Sequence, residues 1–160
     1  MRLANCVAAA LLASAVYGCK AAPEQANAVS EARLRIVKVE VDGGGEVRRF
    51  DAEVAETPEQ QARGLMFREK LGPDAAMLFP FSPTRPASFW MKDTLIPLDM
   101  IFVRPDGSIA YIAAETLPQS EAPVGVDEPL SAVLEIAGGR AAQLGIEEGH
   151  HVRWTGGPQP

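Results

Sequence analysis

Apolar and polar residues alternate along residues 34–41, where the sequence LRIVKVEV is also rich in β-branched side chains. A turn of one aspartate and three glycines follows, and Phe50, Ala52 and Val54 then alternate with charged neighbours. A period of two is typical of strands with one buried face. The pattern therefore predicts a β-hairpin at the start of the folded part of the chain.

A short helix is predicted directly after this hairpin. Thr57 suits the N-cap position, Pro58 the first helical position, and Gln60 completes a capping box. Apolar residues recur at helical spacing as far as Met66, so the helix has one face that can pack on a sheet. Gly64 weakens its middle and suggests close backbone packing.

The rest of the chain alternates between apolar runs and turn residues. We expect strands at 75–81, 87–91, 95–103, 108–113, 130–136 and 152–154, a short helix at 139–144, a rigid proline-rich loop at 82–86, turns at 92–94 and 104–107, and a long loop at 114–129. The strands at 87–91 and 95–103 are expected to pair with each other. This count predicts a mainly β fold, a sandwich or partly open barrel of six to eight short strands with one or two short helices.

The first 19 residues have the features of an export signal. Arg2 is followed by an apolar stretch from Leu3 to Val16 that is too short to span a membrane. The end of this leader, Val16-Tyr17-Gly18-Cys19, resembles the lipobox of bacterial lipoproteins, which implies lipidation of Cys19 and a lipid anchor in the membrane. The alternative is ordinary cleavage near Ala22, which releases a soluble periplasmic protein.

The expected location is therefore the periplasm, with attachment to the outer membrane if the host is Gram-negative. Residues 20–32 are small and polar and predict a flexible tether. A single β-rich domain is expected over 33–156, and residues 157–160 are expected to be disordered.

Cysteine usage and charge exclude several classes of function. Both cysteines, Cys6 and Cys19, lie in the leader, so the domain has no disulfide, no thiol catalysis and no cysteine-ligated zinc. Loss of the leader leaves 14 basic against 21 acidic residues. Such an acidic surface repels nucleic acid, and we expect no nucleic-acid partner.

The densest apolar run, residues 87–103, contains the polar groups that most need an explanation. Strand alternation places Asp99 on the face opposite Met100, in surroundings where an unpaired carboxylate is costly. Either Asp99 is held by backbone N–H groups or a basic partner, or it lines a cleft with Trp90 and Lys92. A tryptophan beside charged residues suits the stacking of a sugar ring, although core packing explains it equally well.

Other chemistry is less well supported by the sequence. Met66, Met77, Met91 and Met100 offer soft ligands for Cu(I), but their scatter favours core packing. Paired acids suit a glycosidase, although no spacing here ensures the separation of about 5 to 9.5 Å that such enzymes need. The adjacent His150 and His151 lack a third ligand, and neither a metal nor another cofactor is expected.

Several ordered motifs resemble one bacterial and archaeal family, called domain of unknown function 192 and also classed as an uncharacterised protein family. They are Glu56-Thr57, the segment from Arg63 to Arg68, Met77-Leu78-Phe79, Trp90-Met91-Lys92, the segment from Thr94 to Met100, Leu134-Glu135 and Gly138. The resemblance extends from about Leu34 to Trp154. It implies a compact β-rich fold, often exported or membrane-attached, without an agreed activity. The family commonly has asparagine at the position of Asp93.

The sequence thus predicts a non-catalytic binding module for an envelope component such as a glycan. The alternatives are a carboxylate-dependent hydrolase acting on envelope polysaccharide and a protein-interaction or assembly module. The expected ligand-binding residues combine one aromatic ring with polar and charged groups: Trp90, Lys92, Asp93, Thr94, Asp99, Glu56 and Glu135.

Overall fold

Seven strands form one sheet in the structure, a computed structural model that describes residues 34–157. The strands are β1 (Ile36–Asp42), β2 (Arg48–Val54), β3 (Ala75–Phe89), β4 (Leu98–Val103), β5 (Ile109–Thr116), β6 (Val124–Ala137) and β7 (His151–Trp154). Their order in the sheet is β5-β4-β6-β3-β2-β1-β7. The predicted export signal, Cys19, the tether and residues 158–160 lie outside the described residues.

The sheet curls so that its two edge strands approach each other. Ser108, beside β5, forms an isolated bridge with His151 of β7, and the Ile109 N–H donates to the His150 carbonyl at 2.7 Å. The prediction of a mainly β fold is confirmed, and the sheet has the form of a curled half-barrel. None of the helices found within residues 34–157 is long and apolar enough to cross a membrane.

Both predicted hairpins are confirmed. β1 and β2 pair antiparallel with Val39 opposite Phe50, and β4 and β5 pair antiparallel across the turn after Val103. β2 then pairs parallel with β3, and the connection between them contains the first helix. The alternation and the turn residues of the sequence therefore predicted these two hairpins.

The two helices are α1 (Pro58–Arg63) and α2 (Arg140–Leu144). The Thr57 capping box at the start of α1 is present as predicted, with the Gln60 N–H donating to the Thr57 hydroxyl at 3.2 Å. Gly64 lies at the C-cap of α1 rather than in its middle, with φ of 47°. A methyl group added there would lie 3.4 Å from the Phe79 ring, an ordinary contact distance, so the positive φ rather than close packing favours glycine at this position.

Three predictions about the central region were wrong. Residues 82–86 are not a loop but the middle of the 15-residue strand β3, whose register against β6 shifts on both sides of Arg85. Proline lacks the backbone N–H that a strand residue donates to the neighbouring strand. A bulge accommodates proline because it contains positions at which no such hydrogen bond is made. Pro80 accordingly pairs with Ala132 on β6, while pairing with β2 ends at Leu78.

The strands predicted at 87–91 and 95–103 do not pair with each other. The first ends at Phe89 within β3, which lies beside β6, and the second begins at Leu98 as β4, which lies between β5 and β6. Residues 114–129 are not one long loop, since β5 continues to Thr116 and β6 begins at Val124. The alternating burial at the start of β6 was obscured by its proline and charged residues.

Each face of the sheet is covered by its own apolar cluster. We call core A the cluster that contains Val39, Phe50, Leu78, Ile101, Leu134 and Ile136, and core B the cluster that contains Leu65, Met77, Phe79, Met100, Phe102 and Val133. Alternate residues of β4 and β6 thus point into different cores. A polar side chain on β4 or β6 can therefore hydrogen-bond only to groups on its own face of the sheet.

Candidate binding pocket

A pocket with a volume of about 310 Å³ opens on the core B side of the sheet. Its walls come from α1 with the segment that follows it, from β3, and from the loop after β3. The lining residues are Gln61, Ala62, Arg63, Gly64, Leu65, Met66, Phe79, Arg85, Ala87, Ser88, Phe89, Trp90, Thr94 and Glu135. This volume is at the lower end of the range of about 300 to 1,000 Å³ found for small-ligand sites.

Glu135 contributes the one carboxyl group among these lining residues. It lies on β6 with 4% of its surface exposed, and the residues opposite it on β3 and β4 are Met77 and Met100. Within residues 34–157 its side chain forms no hydrogen bond and no ion pair with another residue. Because no fully buried side-chain N or O atom there lacks a partner, the carboxyl oxygens of Glu135 are open to the pocket. Burial among apolar side chains raises the pKa of Glu135 to about 8, so at neutral pH the group is mostly a neutral acid with one O–H donor.

Trp90 and the residues after it form the rim of the pocket. The Trp90 ring is 49% exposed, and the Lys92 ammonium lies 5.4 Å from its centroid. Neighbouring loops hold this segment through backbone bonds, since the Met91 N–H donates to the Ser120 carbonyl at 2.8 Å and the Gln119 N–H donates to the Thr94 carbonyl at 3.0 Å. The exposed ring is therefore carried by a loop that is fixed on either side.

Arg85 brings a positive charge to the mouth of the pocket. Its guanidinium carbon lies 4.2 Å from the centroid of the Phe81 ring, and no carboxylate pairs with it within residues 34–157. Arg63 also lines the pocket. Arg85, Ser88 and Phe89 were not predicted as site residues, because the sequence placed Arg85 in a loop and the other two in a separate strand. The available signal was a lone cation between Pro83 and Pro86.

Asp99 lies on the other face of the sheet, opposite Ile136, and does not line the pocket. It is fully buried, and its carboxylate accepts three backbone N–H bonds, from Glu115 at 2.8 Å, Gly139 at 2.9 Å and Ala141 at 2.7 Å. These bonds tie the bulge in β5 and the start of α2 to β4. The structure thus shows the first of the two alternatives drawn for Asp99, in which backbone N–H groups satisfy the carboxylate.

Glu56 and Asp93 are also separate from the pocket. Glu56 accepts a bond from the Arg35 guanidinium at 3.0 Å and lines a second, larger depression of about 680 Å³ beside residues 82–85. Asp93 has φ of 53°, a left-handed conformation that aspartate and asparagine tolerate better than most residues, and its carbonyl accepts the Phe67 N–H at 2.8 Å. Of the seven expected residues, the pocket therefore brings together Trp90, Thr94 and Glu135, with Lys92 against the Trp90 ring.

Among residues 34–157 no three His, Cys, Asp or Glu side chains converge to hold a metal ion. Met77, Met91 and Met100 are fully buried in core B, and Met66 lines the pocket. The three buried methionines pack as ordinary core residues.

Two solved structures are similar to the chain over most of its length. A protein of unknown function from Novosphingobium aromaticivorans has 46% sequence identity and a TM-score of 0.75, covering 78% of this chain and 89% of its own. A protein provisionally named as a transcription regulator, from Sinorhizobium meliloti, has 37% identity and a TM-score of 0.76, covering 79% of this chain and 98% of its own. No protein of curated function matches the sequence. The sequence model of domain of unknown function 192, described as an uncharacterized ACR, matches residues 39–154.

Proposed function

The chain belongs to the family domain of unknown function 192, and we propose that it is a non-catalytic binding module for an envelope component such as a glycan. The observation that carries this proposal is the nearly buried Glu135, whose carboxyl has no partner within residues 34–157 and opens into a pocket whose rim presents the half-exposed Trp90. A polar group in a pocket lining that the protein does not satisfy is available to hydrogen-bond a ligand.

The pocket combines the two kinds of contact that a sugar needs. The Trp90 ring offers a flat apolar surface for the C–H face of a pyranose, and Glu135, Ser88 and Thr94 offer hydrogen-bonding groups for its hydroxyls. Leu65 and Phe79 complete an apolar wall. Apolar lining with few polar groups is the usual composition of small-ligand sites.

Hydrolysis is the weaker alternative because it needs a second acid. Glycosidases use two carboxyl groups about 5 to 9.5 Å apart, whereas Glu135 is the one carboxylic acid among the described residues that line this pocket. Asp99 is buried on the opposite face of the sheet with its own three donors. We therefore expect binding without turnover.

Location in the envelope is part of the proposal and rests on the leader that ends at Cys19. In a bacterial host we expect the full-length protein to incorporate labelled palmitate and to sediment with membranes. A Cys19→Ser variant should lose the label, and the part of it that is cleaved near Ala22 should move to the soluble fraction, because it carries neither acyl chains nor the apolar leader. Unchanged fractionation with no label in the wild type would contradict the lipid anchor.

We do not propose for this chain the transcriptional role that the provisional name of the Sinorhizobium meliloti protein gives to that protein. The net charge here is −6, and such a surface repels the phosphates of nucleic acid. The proposal therefore includes no nucleic-acid partner.

A thermal-shift screen of the full-length protein against fragments of envelope glycans tests the proposed function. A ligand present at 100 times its dissociation constant stabilises the native state by about 2.7 kcal/mol. We expect the shift to disappear in Trp90→Ala, because the stacking surface is lost. It should persist in Tyr111→Ala, which removes an exposed aromatic ring of β5 outside the pocket lining.

The outcomes of this screen separate the three candidate functions. Release of reducing sugar from a bound glycan would favour the hydrolase. If no glycan shifts the transition, the binding proposal fails, and the exposed apolar side chains on the neighbouring loops, Phe67, Trp90, Leu95 and Leu117, then favour a protein-interaction module.

A further inference from the structure

The charges around the pocket are unbalanced in a protein that is acidic overall. Basic side chains elsewhere in residues 34–157 commonly pair with acids, as in Arg35 with Glu56, Arg104 with Glu128 and Arg153 with Asp42. Arg85 at the mouth has no such acid, and Lys92 lies against the Trp90 ring. The mouth therefore carries positive charge that no neighbouring carboxylate neutralises.

The base of the same pocket carries no compensating negative charge at neutral pH. The charged side chains that line the pocket together with Glu135 are Arg63 and Arg85, and the neighbours of Glu135 on β3 and β4 are the uncharged Met77 and Met100. In its protonated form Glu135 is a hydrogen-bond donor. A ligand for this arrangement needs an anionic group at one end and an oxygen acceptor at the other.

We infer that the pocket is selective for an acidic sugar. Its carboxylate pairs with Arg85 at the mouth, and a ring oxygen or hydroxyl of the sugar accepts a hydrogen bond from the Glu135 O–H at the base. This inference rests on the proposed glycan-binding function and specifies its substrate class. Guanidinium groups suit this role because their planar array of N–H donors matches a carboxylate in a bidentate manner. The Phe81 ring beneath Arg85 holds the guanidinium in place through a cation–π contact.

The opposite ligand class, a cationic amino sugar, fits less well. Its ammonium group would have to pass Arg85 and then meet a carboxyl group that burial keeps neutral and that would have to lose its proton. Both steps are unfavourable. Binding of an amino sugar is therefore an outcome that would contradict the inference.

The test compares glucuronate, glucose and glucosamine. Glucuronate and glucosamine each differ from glucose in one substituent, which is a carboxylate in the first and an ammonium group in the second. Binding to the ¹⁵N-labelled full-length protein is followed through the indole N–H resonance of Trp90, which is distinguished from that of Trp154 by a Trp90→Phe spectrum. At pH 6.5 we expect glucuronate to bind about tenfold or more tightly than glucose, the effect of one charge-assisted hydrogen bond. Glucosamine should bind no better than glucose.

Variants then assign the selectivity to individual residues. Arg85→Gln should reduce the affinity for glucuronate to that for glucose, whereas the exposed Lys70→Gln, which removes the same charge outside the pocket, should leave the preference unchanged. Wild-type affinity for glucuronate should fall as pH rises through about 8, and Glu135→Gln, which keeps a donor but cannot ionise, should lose this pH dependence. A structural role for Glu135 would not produce that change in the pH profile.

The results separate failure of this inference from failure of the proposed function. Equal affinities for glucuronate and glucose would overturn the acidic-sugar selectivity and leave glycan binding intact. Tighter binding of glucosamine would overturn it in favour of a cationic ligand. The absence of any perturbation of Trp90 by all three sugars would contradict the glycan-binding function itself.

Discussion

Two buried acids on neighbouring strands of the same sheet have opposite surroundings. Asp99 on β4 is fully buried on the core A face and accepts three backbone N–H bonds. Glu135 on β6 is 4% exposed on the core B face and has no partner within residues 34–157. The comparison shows that burial alone does not identify a functional acid, because what matters is whether the protein itself satisfies the carboxyl group.

The difference follows from what each face of the sheet brings near the acid. Core A is covered at this point by the start of α2 and by the bulge in β5, both of which supply free backbone donors. Core B is covered by apolar side chains and by the pocket, which supply none. Asp99 therefore organises the fold, while Glu135 is left available to a ligand.

The largest effect that separates the two acids is expected from Asp99→Asn. The substitution removes the negative charge and turns one acceptor oxygen into a donor that faces backbone N–H groups. We expect the free energy of unfolding to fall by about 2 to 4 kcal/mol, the value of one or two charge-assisted hydrogen bonds with the associated desolvation. Chemical denaturation measures this change.

Asp93→Asn provides the matched control, because it makes the same chemical change at a partly exposed site in a loop. Its effect should stay within about 0.5 kcal/mol, as is usual for such surface substitutions. Equal effects of the two substitutions would show that the three bonds to Asp99 contribute little, and the contrast between the two acids would disappear.

Glu135→Gln should have an effect of opposite sign that depends on pH. In the folded protein the pKa of Glu135 is about 8, above the value of 4.5 for a free glutamate, so between these pH values the folded state holds a proton that the unfolded state has released. The wild-type free energy of unfolding therefore loses about 1.4 kcal/mol per pH unit from this group as pH rises over that interval. The glutamine variant does not have this loss.

We thus expect Glu135→Gln to be close to wild type in stability near pH 4.5 and more stable by several kcal/mol at pH 9. Denaturation curves at both pH values check this expectation, with the exposed Glu69→Gln as a control that should show no such divergence. A stability difference that does not change with pH would mean that Glu135 ionises normally, and the basis for its role in the pocket would be lost.

The sequence predicted on which face of its strand Asp99 lies, but it did not predict which backbone N–H groups bond to its carboxylate. Alternation along residues 97–103 correctly placed Asp99 and Met100 on opposite faces, since a period of two is a local property of any strand. Its donors, however, belong to Glu115, Gly139 and Ala141, which lie 16, 40 and 42 residues further along the chain. No local sequence pattern predicts that such distant positions lie together. Whether Asp99 is a structural or a ligand-binding acid could therefore be decided only from the three-dimensional structure.

The same limit explains the errors around the pocket. Pro83 and Pro86 predicted a loop at 82–86, whereas the shifted register of β3 against β6 lets the strand continue and places Arg85 in the lining of the same pocket as Glu135 and Trp90. Trp90 was named from the sequence as an aromatic ring beside charged residues, Thr94 because it interrupts an apolar run, and Glu135 as a further acid that could face the same cleft. Arg85 was not named, because its role depends on the absence of a nearby acid, and the sequence alone does not show which side chains lie near it.

The position of β7 also has a consequence for how the sheet folds. This four-residue strand pairs with β1, with Val39 opposite Trp154, so two segments far apart in the sequence lie side by side. Pairings between such distant segments form slowly, whereas the hairpin of β1 and β2 needs only local contacts. We therefore expect the hairpin to form early and β7 to join β1 late in folding.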